Sequence, residues 1–505
     1  MTYPPAGQPV TPAGGPAARP SVVVIGGGIS GLAAAYLLRN TGLTVTVLEG
    51  SPRLGGKLAV SEVAGVPVDA GAEALLARRP EGTGLIAELG LSGDLEVPGT
   101  TSAGIWTRGR VRPLPRRQFM GVPADFDELA ATGIVSAPGV ARARLDRTLP
   151  PDAAVGDESV TIRVAGRLGA EVVDRLVEPL LGGVYAGRCE DLSFEATLPA
   201  LARAGHDHAS LAASAASLLP PAAGQHGDEP ERPPAPPVFT TLTRGLGGMP
   251  AALAAASGAV VRTAAMVREL ARTPAGWRLT VGSAHAPEWL DADAVIIAVP
   301  GTPASRLLAG AAGGAPSAGL AAAALAEIKY ASMAIVTLAY PVAAFREPAV
   351  GSGFLVPAVD GRAVKAVTFS TVKWPHLRRD NPELHLVRCS VGRLGEDAVL
   401  QRDDGELAAL AAGDLADATG VRGDPVDVRV TRWGGGLPQY SVGHLDRVAR
   451  VRSAVAAVPG VAVCGAAYDG VGIPACIASA RLAVEQVLAY LGDRNPGGTG
   501  SVGTG

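Results

Sequence analysis

The fold of this chain is decided by one stretch near its start, Ser21-Val22-Val23-Val24-Ile25-Gly26-Gly27-Gly28-Ile29-Ser30-Gly31. The β-branched run that ends at Ile25 predicts a buried strand, and the apolar stretch from Ile29 to Arg39 predicts a helix. A second alternating run, from Leu43 to Leu48, predicts another strand. Strand, helix and strand in this order form a βαβ unit, whose two strands lie parallel in one sheet.

The glycines between the first strand and the helix follow the pattern G-x-G-x-x-G, which in this context is typical of a dinucleotide-binding turn. Gly26 permits the tight turn, Gly28 lets the backbone approach a pyrophosphate, and Gly31 allows the helix to pack closely on the strand. The N-terminus of the helix offers unpaired N–H groups to phosphates. Glu49 ends the second strand, where a carboxylate accepts hydrogen bonds from ribose hydroxyls. The predicted dinucleotide site consists of Gly26, Gly27, Gly28, Ile29, Ser30, Gly31 and Glu49.

FAD and NAD share this turn, so the choice between them depends on later segments. Arg53-Leu54-Gly55-Gly56-Lys57 resembles the R-x-G-G-[RK] box of flavin amine oxidase-like proteins, in which a glycine pair runs beside the pyrophosphate. Asp69-Ala70-Gly71-Ala72-Glu73 resembles the D-x-G segment of that superfamily, which passes near the flavin. The stretch from Val463 to Pro474 resembles its closing motif, a strand, glycine turn and helix at the flavin end. The resemblance implies FAD rather than NAD.

Four further segments are similar to one branch of this superfamily, the bacterial porphyrinogen oxidases. These segments are Ala72 to Pro80, Pro179 to Gly187, Thr241 to Met249 and Trp433 to Tyr440. Their form resembles the Gram-positive type, which oxidises coproporphyrinogen III and was long labelled protoporphyrinogen oxidase. The likeness extends from about Val22 to Leu491 and leaves out both ends of the chain and a Pro-rich insert.

The resemblance also implies which residues meet FAD beyond the first turn. Val267 looks like the family valine whose backbone meets the adenine, and Trp433 is expected beside the flavin. Tyr185 is a candidate for the wall of the substrate pocket. The residues implied for FAD, besides the first turn, are Glu49, Gly50, Arg53, Gly55, Gly56, Lys57, Gly71, Ala72, Glu73, Ala74, Val267, Trp433, Val471, Gly472 and Ile473.

By the same resemblance, the expected reaction is the oxidation of coproporphyrinogen III to coproporphyrin III in haem biosynthesis. Six electrons leave in three two-electron steps, the flavin accepts hydride, and dioxygen is reduced to hydrogen peroxide. A transient transfer of the product to a ferrochelatase is expected. No general base can be named, since no Ser/His/Asp or Cys/His arrangement is recognisable, and no metal site is predicted.

Three alternatives stay open at this point. In the first, the substrate is protoporphyrinogen IX, in which two of the four propionates are replaced by vinyl groups. In the second, the fold and cofactor are kept but the protein is an amine oxidase or a carotenoid desaturase. The third is a non-catalytic binding protein of the same fold, against which the intact turn at Gly26 to Gly31 and the two further glycine segments argue.

Composition excludes several other classes of protein. The 44 basic and 47 acidic side chains give a net charge of −3, so the attraction that drives nucleic-acid binding is absent. The uncharged run from Leu307 to Ala326 is long enough to cross a bilayer, but it is mainly Ala and Gly and contains Pro316, so we do not predict a membrane span. We expect a cytoplasmic protein with at most peripheral membrane contact, whose four cysteines are buried free thiols.

A chain of 505 residues exceeds the size of one hydrophobic core, which stops growing at about 250–300 residues. The predicted class is α/β, with a discontinuous Rossmann-like FAD-binding domain, a mixed-sheet substrate domain and a helical lobe. The family resemblance implies an FAD-binding domain of residues 20–97, 244–300 and 456–492, a helical lobe of 98–218, and a substrate domain of 219–243 and 301–455. Residues 219–237 are a predicted Pro-rich linker, and residues 1–19 and 493–505 are predicted disordered tails.

Overall fold

The computed structural model of the chain describes residues 19–150, 156–221, 237–349 and 351–494. Most of the predicted tails and of the Pro-rich linker therefore lie outside the described residues. The predicted C-terminal tail begins two residues too early, because Asp493 and Arg494 are helical.

Twenty-two strands are described. In chain order they are β1 (Ser21–Ile25), β2 (Thr44–Leu48), β3 (Val60–Val63), β4 (Val66–Asp69), β5 (Leu75–Leu76), β6 (Leu95–Glu96), β7 (Gly104–Thr107), β8 (Arg110–Pro113), β9 (Gln118–Phe119), β10 (Val122–Pro123), β11 (Phe239–Leu242), β12 (Val260–Arg262), β13 (Val267–Arg272), β14 (Trp277–Ser283), β15 (Ala286–Ala292), β16 (Ala294–Ile297), β17 (Tyr330–Pro341), β18 (Gly353–Leu355), β19 (Val364–Phe369), β20 (Leu384–Val391), β21 (Asp427–Pro438) and β22 (Val461–Val463).

The α-helices in the described part of the chain number eighteen. They are α1 (Ile29–Leu37), α2 (Pro80–Glu88), α3 (Phe126–Thr132), α4 (Ala137–Arg144), α5 (Val160–Leu168), α6 (Ala170–Val172), α7 (Glu178–Tyr185), α8 (Phe194–Thr197), α9 (Pro199–Ala204), α10 (Leu211–Ser217), α11 (Met249–Ser257), α12 (Gly301–Ala311), α13 (Pro316–Ala326), α14 (Ser370–Lys373), α15 (Pro375–Asp380), α16 (Asp404–Thr419), α17 (His444–Ala456) and α18 (Ile473–Arg494).

A five-stranded parallel sheet carries the glycine turn, with the strand order β12-β2-β1-β16-β22. Alternate residues of β1 face opposite layers, as the period of a strand requires. Val22 and Val24 pack with α1, α11 and α18, while Val23 and Ile25 pack with α12, α13 and α17. Segments that are far apart in sequence thus meet in one sheet, and the βαβ unit predicted from the sequence lies at its centre.

A seven-stranded mixed sheet lies beside this body, with the order β21-β17-β20-β19-β18-β7-β8. One face packs on α16, and the other is partly covered by the β3–β4 hairpin, whose Val63, Val66 and Val68 meet Ala339 and Leu386. The hairpin of β7 and β8 comes from the sequence range predicted as helical, yet it extends this sheet because β7 pairs in parallel with β18.

The helices α3 to α10 form a separate cluster around a core that includes Leu176, Leu181 and Tyr185. A π-helical turn at Val173–Val177 joins α6 to α7. The C-terminal end of α7 meets the loop after β20, where the Leu394 N–H donates to the Ala186 carbonyl at 2.7 Å. This contact fixes the helical cluster against the mixed sheet.

The uncharged run from Leu307 to Ala326 is divided between two helices, since α12 ends at Ala311 and α13 begins at Pro316. Within the described residues, only α18 is long and apolar enough to cross a membrane by length and composition. The buried side of α18 packs on β16 and β22 in the core of the parallel sheet.

Candidate cofactor site

The first glycine turn is tight because helix α1 comes very near Gly26, the residue that follows β1. A Cβ atom on Gly31 would lie 1.9 Å from the Gly26 carbonyl oxygen, and one on Gly26 would lie 2.6 Å from the Ala298 carbonyl oxygen. Gly26 also has a φ of 111°, a conformation that L side chains rarely adopt. These two glycines therefore serve the packing of the turn itself.

Gly28 differs from its neighbours because its Cβ position is open. No heavy atom lies within 4 Å of that position, and its φ of −78° suits any residue. Helix α1 begins directly after it without a side-chain cap or an acidic residue in its first turn. Open space in front of uncapped N–H groups fits an anionic group such as a pyrophosphate.

The carboxylate of Glu49 is held at the end of β2 by two backbone groups. The Gly27 N–H donates to Oε2 at 2.7 Å, and the Ser51 N–H donates to Oε1 at 2.8 Å. Each oxygen keeps a second lone pair, so the carboxylate can still accept from ribose hydroxyls. Next to it, a Cβ on Gly50 would lie 2.6 Å from Met266 Cε. Val267, the predicted adenine contact, directly follows Met266. It is 8% exposed and begins β13.

The second glycine turn is hydrogen-bonded directly to the first. The Gly55 N–H donates to the Gly27 carbonyl at 2.8 Å, and a Cβ on Gly56 would lie 3.4 Å from Gly28 Cα. Arg53 Nη2 donates to the Gly56 carbonyl at 2.8 Å, with its guanidinium 5.7 Å from the Trp433 ring. Arg53 thus orders the loop that contains it.

The predicted D-x-G segment is fixed by the backbone of Lys57 and by the side chain of Trp433. A Cβ on Gly71 would lie 1.9 Å from the Lys57 carbonyl oxygen and 3.1 Å from Trp433 Cζ2. The Ala72 N–H donates to the Lys57 carbonyl at 3.0 Å, and Trp433 Nε1 donates to the Ala70 carbonyl at 2.9 Å. Lys57 and Trp433 therefore contact the D-x-G segment, and their contacts with FAD stay a prediction.

The side chain of Glu73 has partners that sequence reasoning missed. Its carboxylate accepts from Lys373 Nζ at 2.5 Å and from Arg388 at 3.1 Å, both from the mixed-sheet region. Burial alone would raise the pKa of Glu73, but the two cations outweigh it and lower the pKa to about 2. Arg388 also donates to the Asp69 and Gly71 carbonyls. The Glu73 carboxylate thus ties the D-x-G segment to the sheet, next to the backbone of Ala74.

The scarcity of lysine was a usable signal for one of these partners. Lys57, Lys329, Lys365 and Lys373 are the only lysines among 44 basic residues. Lys57 and Lys373 both contact the D-x-G segment or its carboxylate. Arg388 carried no such signal, because forty arginines are spread along the sequence.

The third glycine turn reaches the same place from the C-terminal end. The Cβ position of Gly465 lies 3.9 Å from Ser30 Oγ, and its N–H donates to Ser479 Oγ at 3.0 Å. The segment Val471, Gly472 and Ile473 leads into α18, whose first turn closes when the Cys476 N–H donates to the Gly472 carbonyl at 3.0 Å. All three glycine turns therefore converge around the N-terminus of α1.

The third glycine turn, with the segment Val471 to Ile473, is called the closing turn below. Tyr185 belongs to the core of the helical cluster, against which Val471 of this turn packs. Its ring is 5.4 Å from the ring of Tyr440, whose hydroxyl donates to the Ala466 carbonyl at 2.8 Å. Burial raises the pKa of Tyr185 to about 12, so the phenol stays neutral at physiological pH. The geometry makes Tyr185 a wall residue between the helical cluster and the closing turn.

We predict opposite outcomes for two glycine substitutions in the first turn. Gly28→Ala is expected to fold normally but to weaken FAD binding about tenfold or more, because its Cβ fills the open space before α1. Gly31→Ala is expected to destabilise the protein, because its Cβ collides with the Gly26 carbonyl. Bound flavin absorbance and thermal unfolding measure the two effects, and undiminished FAD binding by Gly28→Ala would contradict the assignment.

Removing the charge of Glu73 is expected to destabilise the fold. Glu73→Gln leaves Lys373 and Arg388 partly buried without a counter-charge, which costs about 3–5 kcal/mol at neutral pH. The control Glu88→Gln alters an exposed ion pair with Arg39 and is expected to cost about 0–1 kcal/mol.

The difference in lost stability between Glu73→Gln and Glu88→Gln is expected to depend on pH. The folded pKa of Glu73 lies below its ordinary value of 4.5, so its stabilisation is present above that pH and is lost as the pH falls toward 2. Denaturant unfolding at several pH values measures the difference, and equal losses for the two variants at neutral pH would refute the role given to Glu73.

The chain is similar to known proteins along most of its length. A family model described as flavin containing amine oxidoreductase matches residues 29–488. The coproporphyrinogen III oxidase of Mycobacterium tuberculosis is 38% identical over 478 residues, covering 93% of this chain and 98% of that protein. The coproporphyrinogen III oxidase of Bacillus subtilis is 32% identical over 486 residues, with coverage of 93% and 98%.

Solved structures show the same likeness. A crystal structure from Exiguobacterium sp., provisionally named a protoporphyrinogen oxidase, has a TM-score of 0.80 at 31% identity and covers 93% of this chain and 99% of that chain. A putrescine oxidase has a TM-score of 0.66 at 18% identity, with coverage of 93% and 99%, which is a likeness of fold alone.

The matched region contains helix α1 and the second and third glycine turns, so the family match and the convergence of the turns concern the same part of the molecule. The predicted α/β class and the predicted family are confirmed, and the non-catalytic alternative is not supported. The chain belongs to the flavin containing amine oxidoreductase family and is an FAD-dependent oxidase.

Proposed function

We propose that this protein oxidises coproporphyrinogen III to coproporphyrin III, reducing dioxygen to hydrogen peroxide. The observation that carries the proposal is the match to enzymes named coproporphyrinogen III oxidase along 93% of the chain. Removal of six electrons consumes three molecules of dioxygen and releases three of hydrogen peroxide for each porphyrin formed.

FAD, when bound, supplies the acceptor for a hydride from a bridging methylene of the macrocycle. The chain's part is to hold the D-x-G segment rigidly beside the flavin end of the groove. Arg388 donates to the Asp69 and Gly71 carbonyls, and Trp433 donates to the Ala70 carbonyl. Three carbonyls in a row are thus bound by side chains that come from the mixed sheet, which supports the orientation such a reaction requires.

The proposed substrate position lies between the closing turn, α7 and β18. Val471 packs against the same core as Tyr185 and Leu355, and a Cβ on Gly183 would lie 3.5 Å from Leu355 Cδ2. These apolar groups suit the faces of a tetrapyrrole, while the carboxylates of the substrate remain toward its edges.

Groups near the closing turn are held neutral by burial, which bears on proton transfer. Burial raises the pKa of Tyr185 to about 12 and lowers the pKa of His444, which stacks on Tyr440, to about 4. Neither group is a strong proton acceptor at neutral pH. We therefore propose neither Tyr185 nor His444 as the acceptor of the pyrrole protons.

The proposal is tested by adding coproporphyrinogen III to FAD-loaded enzyme under oxygen. Porphyrin fluorescence is expected to appear with about three molecules of hydrogen peroxide for each porphyrin, and kcat/KM is expected to be higher than for protoporphyrinogen IX. Putrescine serves as the amine control and is expected to give no peroxide.

The variant Gly28→Ala, which is expected to fold, is the matched enzyme control. Its activity is expected to fall with its FAD content and to return when excess FAD is added. A clear preference for protoporphyrinogen IX, or peroxide release with the amine alone, would overturn the proposed substrate.

A further inference from the structure

Two carbonyls of the closing turn are bound by side chains from the segment that joins β21 to α17. The Tyr440 hydroxyl donates to the Ala466 carbonyl at 2.8 Å, and His444 Nε2 lies 3.1 Å from the Tyr468 carbonyl. A carbonyl can only accept, so His444 carries its proton on Nε2 and donates it there. The two hydrogen bonds hold alternate carbonyls of the turn that connects β22 with α18.

The two side chains also support each other. The rings of Tyr440 and His444 stack with their centroids 3.8 Å apart and an interplanar angle of 14°. Tyr440 is 2% exposed and His444 is completely buried. Close packing on all sides limits the rotation of both rings, which keeps each donor aimed at its carbonyl. We call Tyr440 and His444 the stacked pair.

The backbone of the stacked pair is fixed separately by Asp157 and Ser193. The Gly443 N–H donates to Asp157 Oδ2 at 2.7 Å, and Ser193 Oγ donates to Asp157 Oδ1 at 2.6 Å. The Ser193 N–H also donates to the Tyr440 carbonyl at 2.8 Å. Ser193 caps helix α8 of the helical cluster. The stacked pair therefore ties the closing turn to the helical cluster.

Burial keeps the stacked pair in the protonation states that these hydrogen bonds need. It lowers the pKa of His444 to about 4 and raises the pKa of Tyr440 far above its ordinary value. At neutral pH the imidazole is uncharged and the phenol keeps its proton, so both donors are present. Neither group accepts a proton in this range, which leaves them the task of holding the turn.

The closing turn is where the flavin end of FAD is expected. The Cβ position of Gly465 lies 3.9 Å from Ser30 Oγ in helix α1, and the turn ends at the N-terminus of α18, which has no acidic residue in its first turn. The one acidic residue of the closing turn, Asp469, is paired with Arg452. Unpaired N–H groups at a helix N-terminus favour a nearby negative charge. Because reduction adds negative charge to the flavin, the position of this turn affects the reduced form most.

We propose that Tyr440 and His444 are positioning residues that set the closing turn for FAD, each by donating to one of its carbonyls. Both act through the backbone of the turn and not by contact with the cofactor. Loss of either donor leaves a buried carbonyl unpaired and lets the turn shift. The inference rests on the FAD dependence of the family and on the expected place of the flavin, and it does not depend on the proposed substrate.

The test measures how tightly the FAD-loaded full chain retains FAD on dilution, with no substrate present. Tyr440→Phe keeps the ring and its stack but removes the hydroxyl donor. It is expected to raise the Kd of FAD about fivefold. A shift of the flavin absorbance bands and a lower flavin reduction potential are expected as well, because the turn no longer stays at one distance.

Tyr340→Phe is the matched control. Tyr340 is likewise buried, but it lies at the far end of β17 from Met333, the strand partner of Trp433. Its substitution is expected to leave the Kd of FAD, the flavin spectrum and the potential unchanged. Thermal unfolding of both variants reports any general loss of stability, which by itself would not move the flavin spectrum or potential.

Two substitutions of His444 keep the test decisive if Tyr440→Phe does not fold. His444→Phe keeps a ring for the stack but has no donor, whereas the amide of His444→Gln can place an N–H group near the position of Nε2. His444→Phe is expected to raise the Kd of FAD about fivefold, and His444→Gln is expected to stay within about twofold of the unaltered chain.

Three results would overturn the proposal. The first is that Tyr440→Phe retains FAD as tightly as the unaltered chain, with the same flavin spectrum. The second is that Tyr340→Phe has an equal effect, and the third is that the two His444 variants lose FAD equally. A failure to oxidise porphyrinogens would leave these outcomes unchanged, because no substrate takes part in them.

Discussion

The arrangement of the whole site depends on the close approach of helix α1 to the end of strand β1. Gly31 has no room for a side chain because the Gly26 carbonyl would be 1.9 Å from its Cβ. This contact aims the N-terminus of α1 at the open space before Gly28. The second turn hydrogen-bonds to the first through Gly55, and Gly465 of the third lies beside Ser30. If α1 lay farther from the end of β1, the three glycine turns would no longer meet.

The D-x-G segment transmits this arrangement to the mixed sheet. Arg388 projects from β20 to bind its carbonyls, and Glu73 returns a carboxylate to Arg388 and Lys373. Because these charges are largely removed from water, they stabilise the contact only when all three are present. The same segment separates the expected flavin position from a cavity lined by Asp69 and Glu73.

Sequence reasoning succeeded where the information was local. The sequence predicts the strand Ser21–Ile25 with its observed bounds, whereas α1 ends at Leu37, two residues before the predicted Arg39. The last helix begins at Ile473, since a proline at the second position is compatible with a first helical turn. The role of the Glu73 carboxylate was missed because its partners lie about three hundred residues away in sequence.

The sequence by itself determined the βαβ unit, the glycine spacing, the choice of FAD and the family, because each is written in a short run of neighbouring residues. Tertiary structure alone decided that Gly28 stands before open space, that Arg388 binds the D-x-G segment, and that Trp374 and His376 line a shared cavity. These features depend on distances between segments remote in the chain. Such distances follow from how sheets and helices pack, which no local pattern of residues records.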